Sequence, residues 1–310
     1  MRLPVPGNTS QSFYVADQMN PCVILNPVAG SVRDLDQLKK QIERLEPSAI
    51  HLTHSPGEAT RLAGEAVRQG CDFLVAAGGD GTLNEIVNGV AQSFDTIRLG
   101  LIPLGTGNDF ARSLNLPAGV EENVDLLRAG KTREIDLARI RTSRSRYYIN
   151  VSVGGLSESV DEKLNPEIKR TWGPLAYVRS AAAAFPELHA HRTTVELDDG
   201  EKLSLDLYNV IVANGRYVGG GLPIAPEADL SDKLLDLILI PKASTAEMLI
   251  LAAQMVLGSH LKSQHIVYRR ARRIWVEAEP GVWFNADGEL LGNEPAEFEI
   301  VPAALHFVVP

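Results

Sequence analysis

Three short stretches of this chain combine glycine with groups able to hold phosphate or metal. The middle one reads Val75-Ala76-Ala77-Gly78-Gly79-Asp80-Gly81-Thr82-Leu83-Asn84-Glu85. Its apolar run, Phe73 to Ala77, predicts a buried strand, and Leu83, Ile86, Val87 and Val90 then take helical spacing. Strand, glycine turn and helix make a phosphate-binding plan. Glycine lets backbone N–H groups reach an anion, and the helix start adds about half a positive charge. Asp80 would repel such a ligand unless a cation lay between them, which suggests Mg²⁺ carried by a nucleotide. A tight turn with Asp80 capping the following helix is the alternative reading. A second stretch follows the predicted strand Leu99 to Pro103: Leu104-Gly105-Thr106-Gly107-Asn108-Asp109-Phe110-Ala111-Arg112. Gly105-Thr106-Gly107 imitates half of a dinucleotide fingerprint, but Phe110 stands where its third glycine should be. No Gly-x-x-x-x-Gly-Lys-Ser/Thr motif occurs. The remaining stretch, Asn26-Pro27-Val28-Ala29-Gly30, follows the strand Cys22 to Leu25 and precedes a helix with Leu35, Leu38, Ile42 and Leu45 on one face. Loops ending alternate β-α units meet along one edge of a parallel sheet, where such folds bind ligands.

The elements that position these loops change character near Lys131. Up to there strands alternate with helices; beyond it strands dominate, among them Glu134 to Ile140, Tyr147 to Val153, Leu207 to Ala213, Leu234 to Ile240, Phe298 to Val301 and Leu305 to Val309. Helices are expected at Gly173 to Phe185 and Ser244 to Leu257. The fold class that follows is α/β plus β: an N-terminal α/β nucleotide-binding domain with a parallel sheet at 21–140, and a mostly antiparallel β-sandwich at 141–310 whose last strand is free to return to the first domain. Residues 1–20 lack periodicity and read as a flexible extension. A chain of 310 residues is long for one core, which agrees with two domains. A net charge of −9 argues against general nucleic-acid binding. No apolar run reaches the roughly 18–20 residues of a membrane span. With no signal-peptide pattern either, a cytoplasmic protein is expected. Cys22 and Cys71 have no metal-ligand spacing and read as small core residues.

The three loops, in their order, spacing and flanking strands, resemble the diacylglycerol kinase catalytic-domain family, which includes bacterial lipid kinases and sphingosine kinases. The resemblance implies that ATP is contacted by Asn26, Pro27, Val28, Ala29 and Gly30, by Thr53, by Gly78, Gly79, Asp80, Gly81, Thr82, Leu83 and Asn84, and by Gly105, Thr106, Gly107, Asn108 and Asp109. It implies that Asp80, Asp109 and Asp136 form a polar network near a Mg²⁺-nucleotide. Ala225 to Asp236 is similar to the family's structural magnesium loop, which implies a metal on the Asp232 side chain and the carbonyls of Asp229 and Leu234. Lys233 departs from the glycine usual there. Asn285-Ala286-Asp287-Gly288-Glu289 is similar to the segment carrying the family's proposed general base, leaving Asp287 or Glu289 for that role. By itself Asp287-Gly288 is a hairpin signal. The expected activity is ATP- and Mg²⁺-dependent phosphorylation of a lipid hydroxyl at a membrane surface, by a peripheral protein without a transmembrane segment; a homodimer is left open. A soluble kinase of the NAD-kinase type, or a non-catalytic lipid- or nucleotide-binding module, are the alternatives. Arg269-Arg270-Ala271-Arg272-Arg273, the densest basic run, reads either as a patch for anionic headgroups or as an edge strand guarded by charge.

Overall fold

The computed structural model describes residues 20–155 and 189–310. The helix expected at Gly173 to Phe185 and nearly all of the expected N-terminal extension lie outside them. The first layer is a parallel sheet of β1 (Pro21–Leu25), β2 (Ala49–Leu52), β3 (Phe73–Gly78) and β4 (Arg98–Pro103), in the spatial order β4-β3-β1-β2. Its helices are α1 (Leu35–Ile42), α2 (Glu58–Arg68), α3 (Asp80–Gly89), α4 (Asp109–Ser113) and α5 (Val120–Ala129). Side chains alternate along the strands. Val23, Leu25, Val75 and Ala77 pack with Leu38, Ile42 and Leu127, while Cys22, Ile24, Leu74 and Ala76 pack with Leu62, Leu83 and Ile86. Because helices cover both faces, the strands are continuous apolar runs. Both cysteines are buried free thiols, and burial pushes the Cys71 thiol well above its ordinary range, so it packs as an inert core group.

The second layer is antiparallel. It contains β5 (Thr132–Arg141), β6 (Ser145–Tyr148), β7 (Val151–Gly154), β8 (His191–Leu197), β9 (Lys202–Ala213), β10 (Leu235–Pro241), β11 (Val267–Ala271), β12 (Arg273–Glu279), β13 (Phe284–Ala286), β14 (Glu289–Gly292) and β15 (Ala296–Val308), with α6 (Thr245–Val256) between β10 and β11. Val195, Val210, Leu237, Ile274, Phe284 and Phe298 share its core. An α/β layer followed by a mostly antiparallel β layer is the class expected from the sequence.

Three local features matter for the site. The strand expected over Tyr147 to Val153 is two strands, broken where the amides of Ile149 and Asn150 turn to the Asp287 carboxylate. The two strands expected at the C-terminal end are one, β15, bulged between Val301 and Leu305. Ala303 sits there at φ 50° and donates its N–H to Asp136. Finally, β15 pairs with β12 and β5 and then, through His306 and Phe307, runs parallel beside Arg98 and Leu99 of β4, so both layers share one hydrogen-bonded sheet.

Candidate active site

The glycine loops converge at the C-terminal ends of β1, β3 and β4, and steric contact explains their glycines. A Cβ on Gly105 would lie 2.6 Å from the Gly79 Cα, and one on Gly30 would lie 2.4 Å from the Thr106 hydroxyl oxygen. The loops of Gly79 and Gly105 therefore touch backbone to backbone. A Cβ on Gly81 would meet nothing within 4 Å, so its space is open. Hydrogen bonds knit the same edge: Asn26 donates its N–H to Ala77 O at 2.9 Å, Ser31 to Leu104 O at 3.0 Å, and Leu104 to Gly78 O at 2.9 Å. Thr53, buried, donates its N–H to Leu25 O at 3.0 Å and closes the end of β1.

α3 has no side-chain N-cap, since Gly79 holds that position. Among the described residues the amides of Asp80, Gly81 and Thr82 have no acceptor, and the first helical bond is Leu83 N–H to Gly79 O. Unpaired amides with the helix dipole behind them form an anion seat. Asp80 is indeed a cap, but of another helix. Its two carboxylate oxygens accept the N–H groups of Asp109 and Phe110, each at 3.0 Å, at the start of α4. The second glycine loop is thus tied to the first by a charge-assisted bond on each oxygen.

The second layer supplies the rest. Asp287, at φ 48° in the β13–β14 turn, accepts Asn84 Nδ2 at 2.8 Å and Ile149 N–H at 2.6 Å on Oδ2. Its Oδ1 accepts Asn150 N–H at 3.0 Å and Val151 N–H at 3.2 Å. A carboxylate offers about four acceptor sites, and all are engaged. Enclosure nevertheless pushes this carboxyl up to about 6; the three backbone amides oppose the shift and the Asp80 charge adds to it. Asp109 is likewise raised to about 6, chiefly by burial, opposed by the Gly220 amide at 2.9 Å and reinforced by Asp80. Its other oxygen, Oδ1, is buried and has no hydrogen-bond partner among the described residues. An orphaned carboxylate oxygen beside a second carboxylate is what a bound cation satisfies, so these donors fit a Mg²⁺ brought by a nucleotide.

Several expected contacts are placed differently. Leu83 is fully buried and its N–H is spent inside α3, so it has nothing to offer a nucleotide. Asn84 is also buried, its amide bridging Asp287 and Tyr147 O. Asn108, at φ 52°, braces its own loop through Gly105, and Val28 is 85% exposed. Asp136 makes no direct bond to Asp80 or Asp109; its oxygens accept the amides of Lys233 and Ala303, both at 2.7 Å. Glu289 pairs with Arg146. The structure also adds residues that the motifs did not single out. Asn150 reaches Asp80 with its side chain at 3.4 Å and Asp287 with its N–H. Gly220 belongs to the run Gly219-Gly220-Gly221, all at positive φ (65°, 89° and 112°); three consecutive glycines were the available signal.

The sequence profile of the diacylglycerol kinase catalytic domain matches residues 20–140, and that of the YegS C-terminal NAD kinase beta sandwich-like domain matches residues 150–309. A diacylglycerol kinase of Bacillus subtilis (strain 168) is 33% identical over 293 residues, covering 93% of this chain and 95% of that protein. This chain belongs to the diacylglycerol kinase family. Another diacylglycerol kinase, from Staphylococcus epidermidis, is 33% identical over 284 residues, covering 89% of this chain and 87% of its own. The crystal structure of a diacylglycerol kinase from Bacillus anthracis shares the fold, with a TM-score of 0.78 at 23% identity over 94% of this chain and 97% of that one. As a member of the family, the chain carries the fold of an ATP-using lipid kinase. No helix among the described residues is long and apolar enough to cross a membrane.

Proposed function

We propose that this protein transfers the γ-phosphoryl group of ATP to a lipid hydroxyl, diacylglycerol or a related lipid, in the cleft where the two layers meet. The observation that carries this reading is the chain of hydrogen bonds from the Asp109 N–H to Asp80, and from Asp80 through Asn150 to Asp287, next to the uncapped start of α3. The free amides of Asp80, Gly81 and Thr82 bind phosphate oxygens. A Mg²⁺ brought with the nucleotide and held at the unpartnered oxygen of Asp109 would supply positive charge against the transferring phosphoryl group. Asp109, with its orphaned oxygen, faces that charge, and Asp80 keeps the two glycine loops in register. Asp287 takes the hydroxyl proton as attack begins, since a carboxyl near pH 6 is ionised at neutrality yet basic enough to accept. To take the proton, Oδ1 gives up one of its two backbone donors, which at 3.0 and 3.2 Å are the longer pair.

A lipid acceptor is favoured over a soluble one by the names of the relatives and by exposed apolar surface. α6 buries Met248, Leu251 and Ala252 but leaves Leu249 and Ile250 open, with Leu257 beyond it 78% exposed. Gly258 packs against Pro223 and Pro226, in the same connection as Gly220, so this surface adjoins the strap that holds Asp109. The test is radiolabelled ATP with a total lipid extract, with NAD as the competing acceptor. Label in an extracted phospholipid is expected; label in NAD alone, or in neither, overturns the reading.

A further inference from the structure

The turn between Asp229 and Leu234 would, by family resemblance, close around Mg²⁺. Here its carboxylate has other partners. Asp232 Oδ1 accepts the Leu234 N–H at 3.0 Å, and Oδ2 pairs with Arg270 of β11. Arg270 lies directly across from Asp236 in the β10–β11 ladder, with its Nε 3.8 Å from the Asp236 carboxylate, so one guanidinium spans both acids. The neighbouring Arg269 is committed elsewhere, in a two-pronged pair with Glu201. A second cation, Lys233, occupies the turn itself at φ 66°, the left-handed conformation that favours glycine. Asp229 Oδ1 is engaged by the Ser231 N–H and hydroxyl. Among the described residues no cluster of three or more His, Cys, Asp or Glu is arranged to hold a metal. The guanidinium already occupies the free oxygen of Asp232, and its positive charge opposes a divalent ion, so the donor set does not fit magnesium.

We propose that Arg270 is the resident cation of this turn, closing it in place of a divalent metal, and that it acts as a positioning residue for the active site. The route is a continuous set of hydrogen bonds. The Lys233 N–H of the closed turn holds Asp136 at 2.7 Å, and Asp136 N–H donates to Leu230 O at 2.6 Å. Asn214 Nδ2 donates both to Asp136 O at 3.2 Å and to Ile149 O at 2.9 Å. The Ile149 N–H is the closest donor on Asp287. Loosening the turn therefore loosens the peptide that aims the Asp287 carboxylate.

The inference does not depend on which acceptor is phosphorylated, and nucleotide-free thermal unfolding of the full chain tests it. The wild type should melt at the same temperature in EDTA and in millimolar magnesium chloride. Arg270→Met should melt several degrees lower in both, and Arg270→Lys should recover most of the loss. Arg270→Met combined with Lys233→Gly removes the guanidinium and puts a glycine at the left-handed position of the turn, and it should acquire a magnesium-dependent rise. In turnover, Arg270→Met should lower kcat with the KM for ATP unchanged, again recovered by Lys. A magnesium-dependent rise in the wild type that Asp232→Ala abolishes would overturn the proposal, as would an Arg270→Met variant with wild-type melting and kcat. Should Arg270→Met fail to fold, the wild-type magnesium comparison and Arg270→Lys still decide.

Discussion

Asp80, Asp109 and Asp287 share one low-solvent region, and their consequences differ because their donors differ. Asp80 accepts two amides from α4, so Asp80→Asn sets an NH₂ group against an N–H. The loss should be about 1–2 kcal/mol of stability, a lower Tm, together with at least tenfold slower use of Mg-ATP. Unchanged Tm would mean that the α4 cap is dispensable. Asp287→Asn should reduce turnover by roughly 10²–10⁴-fold and also lower Tm, because two of its four donors then face another donor. Glu289→Gln breaks only the pair of half-exposed Glu289 with Arg146 and should leave Tm nearly unchanged. If Glu289→Gln alone loses turnover, the base is two positions along. The titrations have a defined sign. Asp109, Asp236 and Asp287 are all raised to about 6 from the ordinary 3.8, so between those values the folded chain holds more protons than the unfolded one. Stability should therefore fall as pH rises through about 4 to 6, while kcat/KM rises with an apparent pKa near 6 as Asp287 ionises. Calorimetric stability that climbs across that window would contradict the burial argument.

At the scale of elements, the glycine loops separate into a packing role and an access role. Gly105→Ala puts a methyl group 2.6 Å from the Gly79 backbone, and neither side can yield as a flexible side chain would. It should cost about 1–3 kcal/mol and lower Tm. Gly81→Ala enters open space in the first turn of α3 and gains helix propensity, so Tm should hold or rise slightly. The same methyl group lies where the seat's amides meet an anion, so the KM for ATP should rise severalfold. A glycine variant with normal melting and normal ATP kinetics would remove the phosphate seat from α3. The basic run changes meaning at this scale. Among the described residues β11 pairs only with β10, which makes it an edge strand there, and Arg269 and Arg270 are held by Glu201 and Asp232. Neither is free for anionic headgroups.

The whole molecule is held by one strand from the far end of the chain. β15 is buried at Phe298, Ile300, Leu305, Phe307 and Val308 and contacts β12, β5 and β4. Heat should therefore unfold the described layers in a single calorimetric transition. A piece spanning 20–140 alone lacks the neighbour that covers β4 and β5, and it should show neither a cooperative melt nor dispersed amide resonances. A folded 20–140 fragment would show that the shared sheet is incidental to stability.

Local chemistry made part of this legible from the chain alone. Continuous apolar runs ending in glycine specify buried parallel strands and their loops, because both faces of such a sheet are covered. The succession of strands beyond Lys131, with few helices between them, specifies the antiparallel layer. Asp287-Gly288 specifies a hairpin for the same kind of reason, since its positive φ is a property of the two residues themselves. What long-range pairing decides could not be read that way. Nothing near Asp80 in the chain says that it caps a helix beginning at Asp109. Nothing near Asn150 says that its amide meets a carboxylate 137 positions later. Asp136 resembles a member of the nucleotide site in its motif, yet the β15 bulge and the Lys233 turn reach it first. Arg270 reads as surface charge until the β10–β11 register sets it against Asp232 and Asp236. In each case the partner is chosen by where folding brings a desolvated charge, and a buried charge is stable only beside the groups that replace its water.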